Sequence, residues 1–195
     1  IGRAFGSYRS KPENRLDTTR QESGLDTPSR RPRETNKKTE SKVVAMRGSA
    51  NIKVNRPIED VWQFISDLGN NSQWIDGVSA VEPTSEGELA NGATFSGAYR
   101  FDGKSHALTY RLTEFDPPYR LCYRILGGPH PSLNEVELKS SGDSTKVKHL
   151  MELDLNQQNM GAVYVGLGPM VRLSIMFRLK KDLKKLKKNL EASYT

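Results

Sequence analysis

The residues best suited to acid–base or nucleophilic chemistry are three histidines, His106, His130 and His149, and one cysteine, Cys122. Imidazole exchanges a proton near neutral pH, so an inward-facing histidine is the first candidate for such work. His149 fits best because it alternates with Val147, Met151 and Leu153, whereas His106 and His130 stand beside turns and are expected to be exposed. No carboxylate partner for His149 can be named from the sequence, and the plainer reading is a core histidine with its hydrogen bonds satisfied. The histidines share no H-x-x-x-H or H-E-x-x-H spacing, and a single cysteine cannot build a multi-cysteine site, so no metal is expected. Cys122 has no histidine near it in sequence to serve as its base and reads as structural. G-x-S-x-G, the phosphate-binding loop and G-x-G-x-x-G are all absent; Gly166-Leu167-Gly168-Pro169 lacks the phosphate-loop lysine and reads as a link into the last helix. No cofactor is expected, and no catalytic residue can be assigned.

The alternative chemistry is binding. Phe95, Tyr99 and Phe101 fall on one side of a strand, as do Tyr110 and Leu112 with Leu108, Tyr123 and Ile125 with Leu121, and His149, Met151 and Leu153 with Val147. Tyrosines and a histidine among apolar neighbours make a greasy surface with a few polar tips, the usual composition of a small-molecule site. Trp74, Leu167, Val171 and Ile175 are the further candidates to line it. A filled core, with tyrosine hydroxyls reaching its rim, is the competing reading. Trp62 and Trp74 could line such a pocket, but core packing or a lid over its mouth is the plainer reading of both.

The elements that must position these faces follow from periodicity. Order is expected to begin near Ser49, where Ala50, Ile52 and Val54 alternate with polar residues as in a half-buried strand. Pro57 suits a first helical turn, and Glu59 and Asp60 suit its positive end. Val61, Phe64, Ile65 and Leu68 then give one apolar helical face, which Gly69-Asn70-Asn71 ends. A second short helical turn carries Trp74 and Ile75. Strands are expected at 78–84, 93–102, 105–115, 119–127, 133–140 and 144–155, with Asp102-Gly103 a strong hairpin signal. Links this short require antiparallel pairing. From Pro169, the spacing of Val171, Ile175, Leu179, Leu183, Leu186 and Leu190 gives an amphipathic helix of about 24 residues with lysines on its other face. The class is α+β: a curved antiparallel sheet of about seven strands around a long C-terminal helix, with two short helices after the first strand.

This order resembles the helix-grip fold of the START and Bet v-allergen-like (SRPBCC) superfamily, closest to its polyketide cyclase/dehydrase and lipid-transport branch. The residues that carry the resemblance are Ile52 to Asp67, followed by Trp74; Glu114-Phe115-Asp116-Pro117-Pro118-Tyr119-Arg120-Leu121; Gly142 to Val147; and Leu179 to Lys187. Together they span about 49–192. The resemblance implies a ligand cavity between helix and sheet, without implying one activity. An apolar or aromatic small molecule, lipid or polyketide-like, is the expected ligand. A cyclase or dehydrase using the same cavity, or an adapter docking through the lysine-rich helix, are the alternatives.

Charge and composition limit the other classes. Residues 1–45 carry a net +5, residues 46–177 a net −3 and residues 178–195 a net +5. The basic balance therefore sits at the ends, which argues against a nucleic-acid partner and leaves a weak anionic membrane-surface contact open. Residues 1–45 lack any apolar period and read as a disordered basic tail ahead of a domain over 46–195; Met46 could be a natural start. Gly, Pro and Arg172 interrupt the apolar run 160–177, so it does not read as a membrane span. One cysteine and no apolar signal segment suggest a cytoplasmic setting. Oligomeric state is not legible.

Overall fold

Tight turns set the topology. Asp102 and Gly103 have φ of +49° and +72°, the left-handed pair that a two-residue hairpin requires. They join β3 (Thr94–Phe101) to β4 (Lys104–Asp116), with Phe101 opposite Lys104. A second two-residue turn, Gly142-Asp143, joins β6 (Ser132–Ser141) to β7 (Ser144–Asn156). The computed structural model describes residues 43–156 and 167–192. Its other elements are β1 (Val43–Val54), α1 (Ile58–Ser66), a 3-10 turn (Leu68–Asn70), α2 (Asn71–Trp74), β2 (Val78–Pro83), β5 (Arg120–Gly127) and α3 (Gly168–Ala192).

The seven strands form one sheet in the order β1-β7-β6-β5-β4-β3-β2, with every pair antiparallel. The chain's first described strand thus closes beside its last. α3 packs on the inner face of this sheet, chiefly along β1, in the helix-grip arrangement. Its Ile175, Leu179, Leu183, Leu186 and Leu190 are buried with Val54, Val61, Ile65, Leu68, Leu121, Val136 and Val147. An extra residue at Thr113 shifts the β4–β5 register between Leu112 and Glu114. The strand bends there, and Phe115 meets Trp62 of α1 with ring centroids 5.3 Å apart.

The first strand starts at Val43, earlier than the expected Ser49. Arg47 and Gly48 interrupt the apolar alternation, but the ladder to β7 continues through them from Val43↔Asn156 to Val54↔Thr145. Met46 lies inside this strand, opposite Leu153. The rest of the expected tail, 1–42, and residues 160–166 of the apolar run fall outside the described residues.

At Gly48 α3 lies close against the sheet. A Cβ placed there would stand 2.7 Å from Ile175 Cγ2 and 3.1 Å from Ile175 Cβ. Ile175 is β-branched and cannot swing aside cheaply. Gly48→Val is expected to lower stability by about 1–3 kcal/mol through overpacking. Combining it with Ile175→Ala should cost less than the two changes summed, as measured by urea denaturation. Strict additivity would show that Gly48 does not set the seat of α3.

Candidate functional site

α3 leans on β1 and stands away from the middle of the sheet. Between them lies a cavity of about 460 Å³, within the range of small-molecule sites. Strand alternation supplies its wall in pairs: Tyr99 and Phe101 from β3, Leu108 and Tyr110 from β4, Tyr123 and Ile125 from β5, Ser132 and Asn134 from β6, Met151 and Leu153 from β7. Ile75 and Val78 close one side, and Val171, Ser174, Ile175 and Arg178 of α3 form the roof. Phe101, 42% exposed, marks the mouth with Pro129 and His130.

The tyrosine pair forms part of the cavity floor. Tyr110 and Tyr123 pack with ring centroids 5.8 Å apart. Both hydroxyls are buried and close no well-formed hydrogen bond with a protein atom. Burial lifts Tyr110 to about 12 and Tyr123 further, although the Asn71 side chain lies near enough to Tyr123 to pull it slightly the other way. Both therefore stay protonated and can donate. A buried hydroxyl without a partner costs about 1–3 kcal/mol; both oxygens are covered by the wall, so a polar atom in the cavity reaches them only where the wall gives way.

Arg178 is the permanent cation of the lining among the described residues. Its Nη1 donates to the Tyr99 hydroxyl and its Nη2 to the Asp76 carbonyl at 3.1 Å. Its guanidinium carbon lies 4.9 Å from the Tyr99 ring centroid, a cation–π contact. One turn on, the buried Asp182 accepts from the Asp76 backbone N–H at 3.2 Å and lies 3.8 Å from Arg178 Nε. The Asp76 carboxylate is held by Lys181 at 2.7 Å and by Lys185. The corner before β2 is thereby tied to α3. Burial pushes Asp182 up to about 6, against the pull of Arg178 and Lys181.

His149 sits behind the wall. Its Nε2 is 3.3 Å from Asn134 Oδ1, Asn134 Nδ2 donates to Ser132 Oγ at 3.1 Å, and the imidazole meets Trp74 edge-on at 5.6 Å. Burial, with Arg178 adding to it, pushes His149 down to about 4, so it is neutral at pH 7. It orients Asn134, which does line the cavity.

Of the residues nominated from the sequence, Tyr99, Phe101, Tyr110, Tyr123, Ile125, Met151, Leu153, Val171 and Ile175 come together around this cavity. Trp74, Phe95 and Leu112 are buried in the core, His149 lies one layer back, and Leu167 stands 40% exposed ahead of α3. His106 and His130 are half-buried, contrary to the expected exposure. His130 packs edge-on against Phe101 at 5.1 Å, which takes it out of solvent. Cys122 is buried outside the cavity lining, its Sγ donating to Glu114 Oε2 at 3.5 Å, and burial lifts its thiol to about 11. Sequence reasoning missed Arg178, Asp182, Ser132 and Asn134. The signal for Asp182 was present: it falls at the buried spacing 175, 179, 182, 186.

Comparison with known proteins places this geometry in a family. The family described as polyketide cyclase/dehydrase and lipid transport matches residues 45–191. No curated protein matches the sequence. Among solved structures, TTHA0849 from Thermus thermophilus superposes with a TM-score of 0.62 at 16% identity, covering 76% of this chain and 99% of that one. Zhui aromatase/cyclase from Streptomyces sp. R1128 gives 0.60 at 15% identity, covering 76% and 94%. Ara h 8.0201 gives 0.58 at 12% identity, covering 76% and 99%. Likenesses this remote in sequence show a shared fold.

The buried pair His149 and Asp182 makes a pH prediction. Between pH 6.5 and about 4 the unfolded chain protonates His149 and the folded chain does not, so this group removes stability as pH falls. Between pH 3.8 and about 6 the folded chain holds a proton on Asp182 that the unfolded chain releases, so this group removes stability as pH rises. The two slopes oppose each other in the native protein. Relative to wild type, His149→Gln should lose, and Asp182→Asn should gain, about 2–3 kcal/mol as pH rises from 4 to 6.5. Urea denaturation across that range checks it; difference curves that stay flat would contradict it.

Proposed function

The chain belongs to the polyketide cyclase/dehydrase and lipid transport family, and from that premise we propose that its cavity binds an apolar or aromatic small molecule carrying an acceptor oxygen. The observation that carries this reading is the cavity of about 460 Å³ itself, largely apolar in its wall, with Arg178, Ser132 and Asn134 among its lining. A carbonyl, ester or phenol oxygen would accept from the Arg178 guanidinium. Ile125, Met151, Leu153 and Ile175 would cover the apolar body. A single buried thiol suits a reducing setting such as the cytoplasm.

A catalytic role in the same space is the second reading, favoured by the likeness to an aromatase/cyclase fold. It needs a group that exchanges a proton with the ligand. His149 is neutral and lies behind Asn134, and the two tyrosines hold their protons tightly. These groups support gripping and orienting a ligand more than moving its protons, which is why binding is the primary proposal.

The test is a native mass spectrometry screen of fatty acids, flavonoids and polycyclic phenols against the full chain. At least one class should bind one to one. Arg178→Gln should weaken an oxygen-bearing ligand by about tenfold, the worth of one hydrogen bond to a charged group at about 1.5 kcal/mol. Met151→Trp, which takes up part of the space, should weaken binding without loss of fold by circular dichroism. A panel without a binder, or binding indifferent to Met151→Trp, would overturn the proposal.

A further inference from the structure

The outward side of α3 changes chemistry half-way along its length. Met170, Leu173 and Phe177 are 68%, 51% and 63% exposed. Lys180, Lys181, Lys184 and Lys188, all exposed, continue the same row at three- and four-residue steps. The row runs roughly 27 Å from Met170 to Lys188 at about 1.5 Å per residue. The opposite side is the buried one, with Ile175, Leu179, Leu183, Leu186 and Leu190. A solvated helix side is ordinarily polar throughout, so three large apolar side chains in succession call for a partner. Lys181 engages Asp76, while Lys180, Lys184 and Lys188 have no acidic partner among the described residues. The apolar part of the row shares its turns with Val171, Ser174 and Arg178, so it flanks the cavity.

We propose that this face of α3 docks on an anionic lipid bilayer. A bilayer surface offers an acyl layer for Met170, Leu173 and Phe177 and a headgroup layer for the lysines, whose stems can reach it. A second copy of the chain complements the face poorly. A parallel pairing sets lysines against lysines, and an antiparallel one sets lysines against the apolar half. The proposal is independent of what the cavity binds.

The experiment is cosedimentation of the full chain with phosphatidylcholine vesicles, with and without phosphatidylserine, at low and raised salt. Wild type should bind the phosphatidylserine vesicles and be released by salt. The double variants Leu173→Glu/Phe177→Glu and Lys184→Glu/Lys188→Glu should each bind at least about tenfold more weakly. The basic residues ahead of Val43 are present in every protein compared, so the differences report α3. Wild type that does not bind, or variants that bind equally, would overturn the proposal. So would an oligomer by light scattering that the Leu173→Glu/Phe177→Glu change dissolves, which would assign the face to a second copy. A lower melting temperature for that variant with unchanged vesicle binding would assign it to the chain's own residues, and would also overturn the proposal.

Discussion

One straight helix cannot lie flush against both ends of a twisted seven-stranded sheet, and α3 takes the β1 end. Gly48 removes the Cβ that would block Ile175, so helix and strand meet there at close range. Asp182 and the Lys181–Asp76–Lys185 contacts fix the other side of the helix to the corner before β2. With both anchors in place, the first half of the helix is held off the middle of the sheet. The lining residues of β3 to β7 then face open space there, while Leu121, Val136 and Val147 pack with its second half in the core. The cavity is a consequence of where the helix is seated.

That seating explains the odd polar inventory of the interior. Asp182, His149, Asn134, Tyr110 and Tyr123 are all buried, and an apolar packing of the same volume would avoid their desolvation. Asp182 holds the Asp76 corner and meets Arg178, which in turn holds Tyr99. His149 holds Asn134, which holds Ser132. Each chain of contacts ends on a side chain of the cavity wall. The tyrosine hydroxyls, like Trp74 Nε1 and His149 Nδ1, close no well-formed hydrogen bond within the protein. The contacts that do form serve the shape of the site.

Much of this was legible in the sequence. Period-two alternation placed the correct sides of β3, β4, β5 and β7 inward, and the four- and three-residue apolar spacing gave α3 to within a residue of its start. Alternation gives a side of a strand and no depth along it, which is why Phe95, Leu112 and His149 share a face with the lining residues yet lie in the core. The polar members of the wall, Ser132 and Asn134, leave no apolar trace to follow. Arg178 and Asp182 stand four residues apart among lysines, a spacing that on an exposed helix face is worth little. Only the position of Asp182 on the apolar face of the helix betrays its burial. The expected start near Ser49 fell just past Gly48, since a close approach between elements distant in sequence has no local signature.

The central claim is that α3 stands off the sheet over an apolar space floored by Tyr110 and Tyr123. A crystal of the protein pressurised with xenon tests it most directly, since xenon enters apolar cavities without needing the right ligand. Xenon density between Tyr110, Met151 and Ile175 is the expected result. α3 lying directly on Tyr123 and Met151, with no xenon between them, would contradict the account.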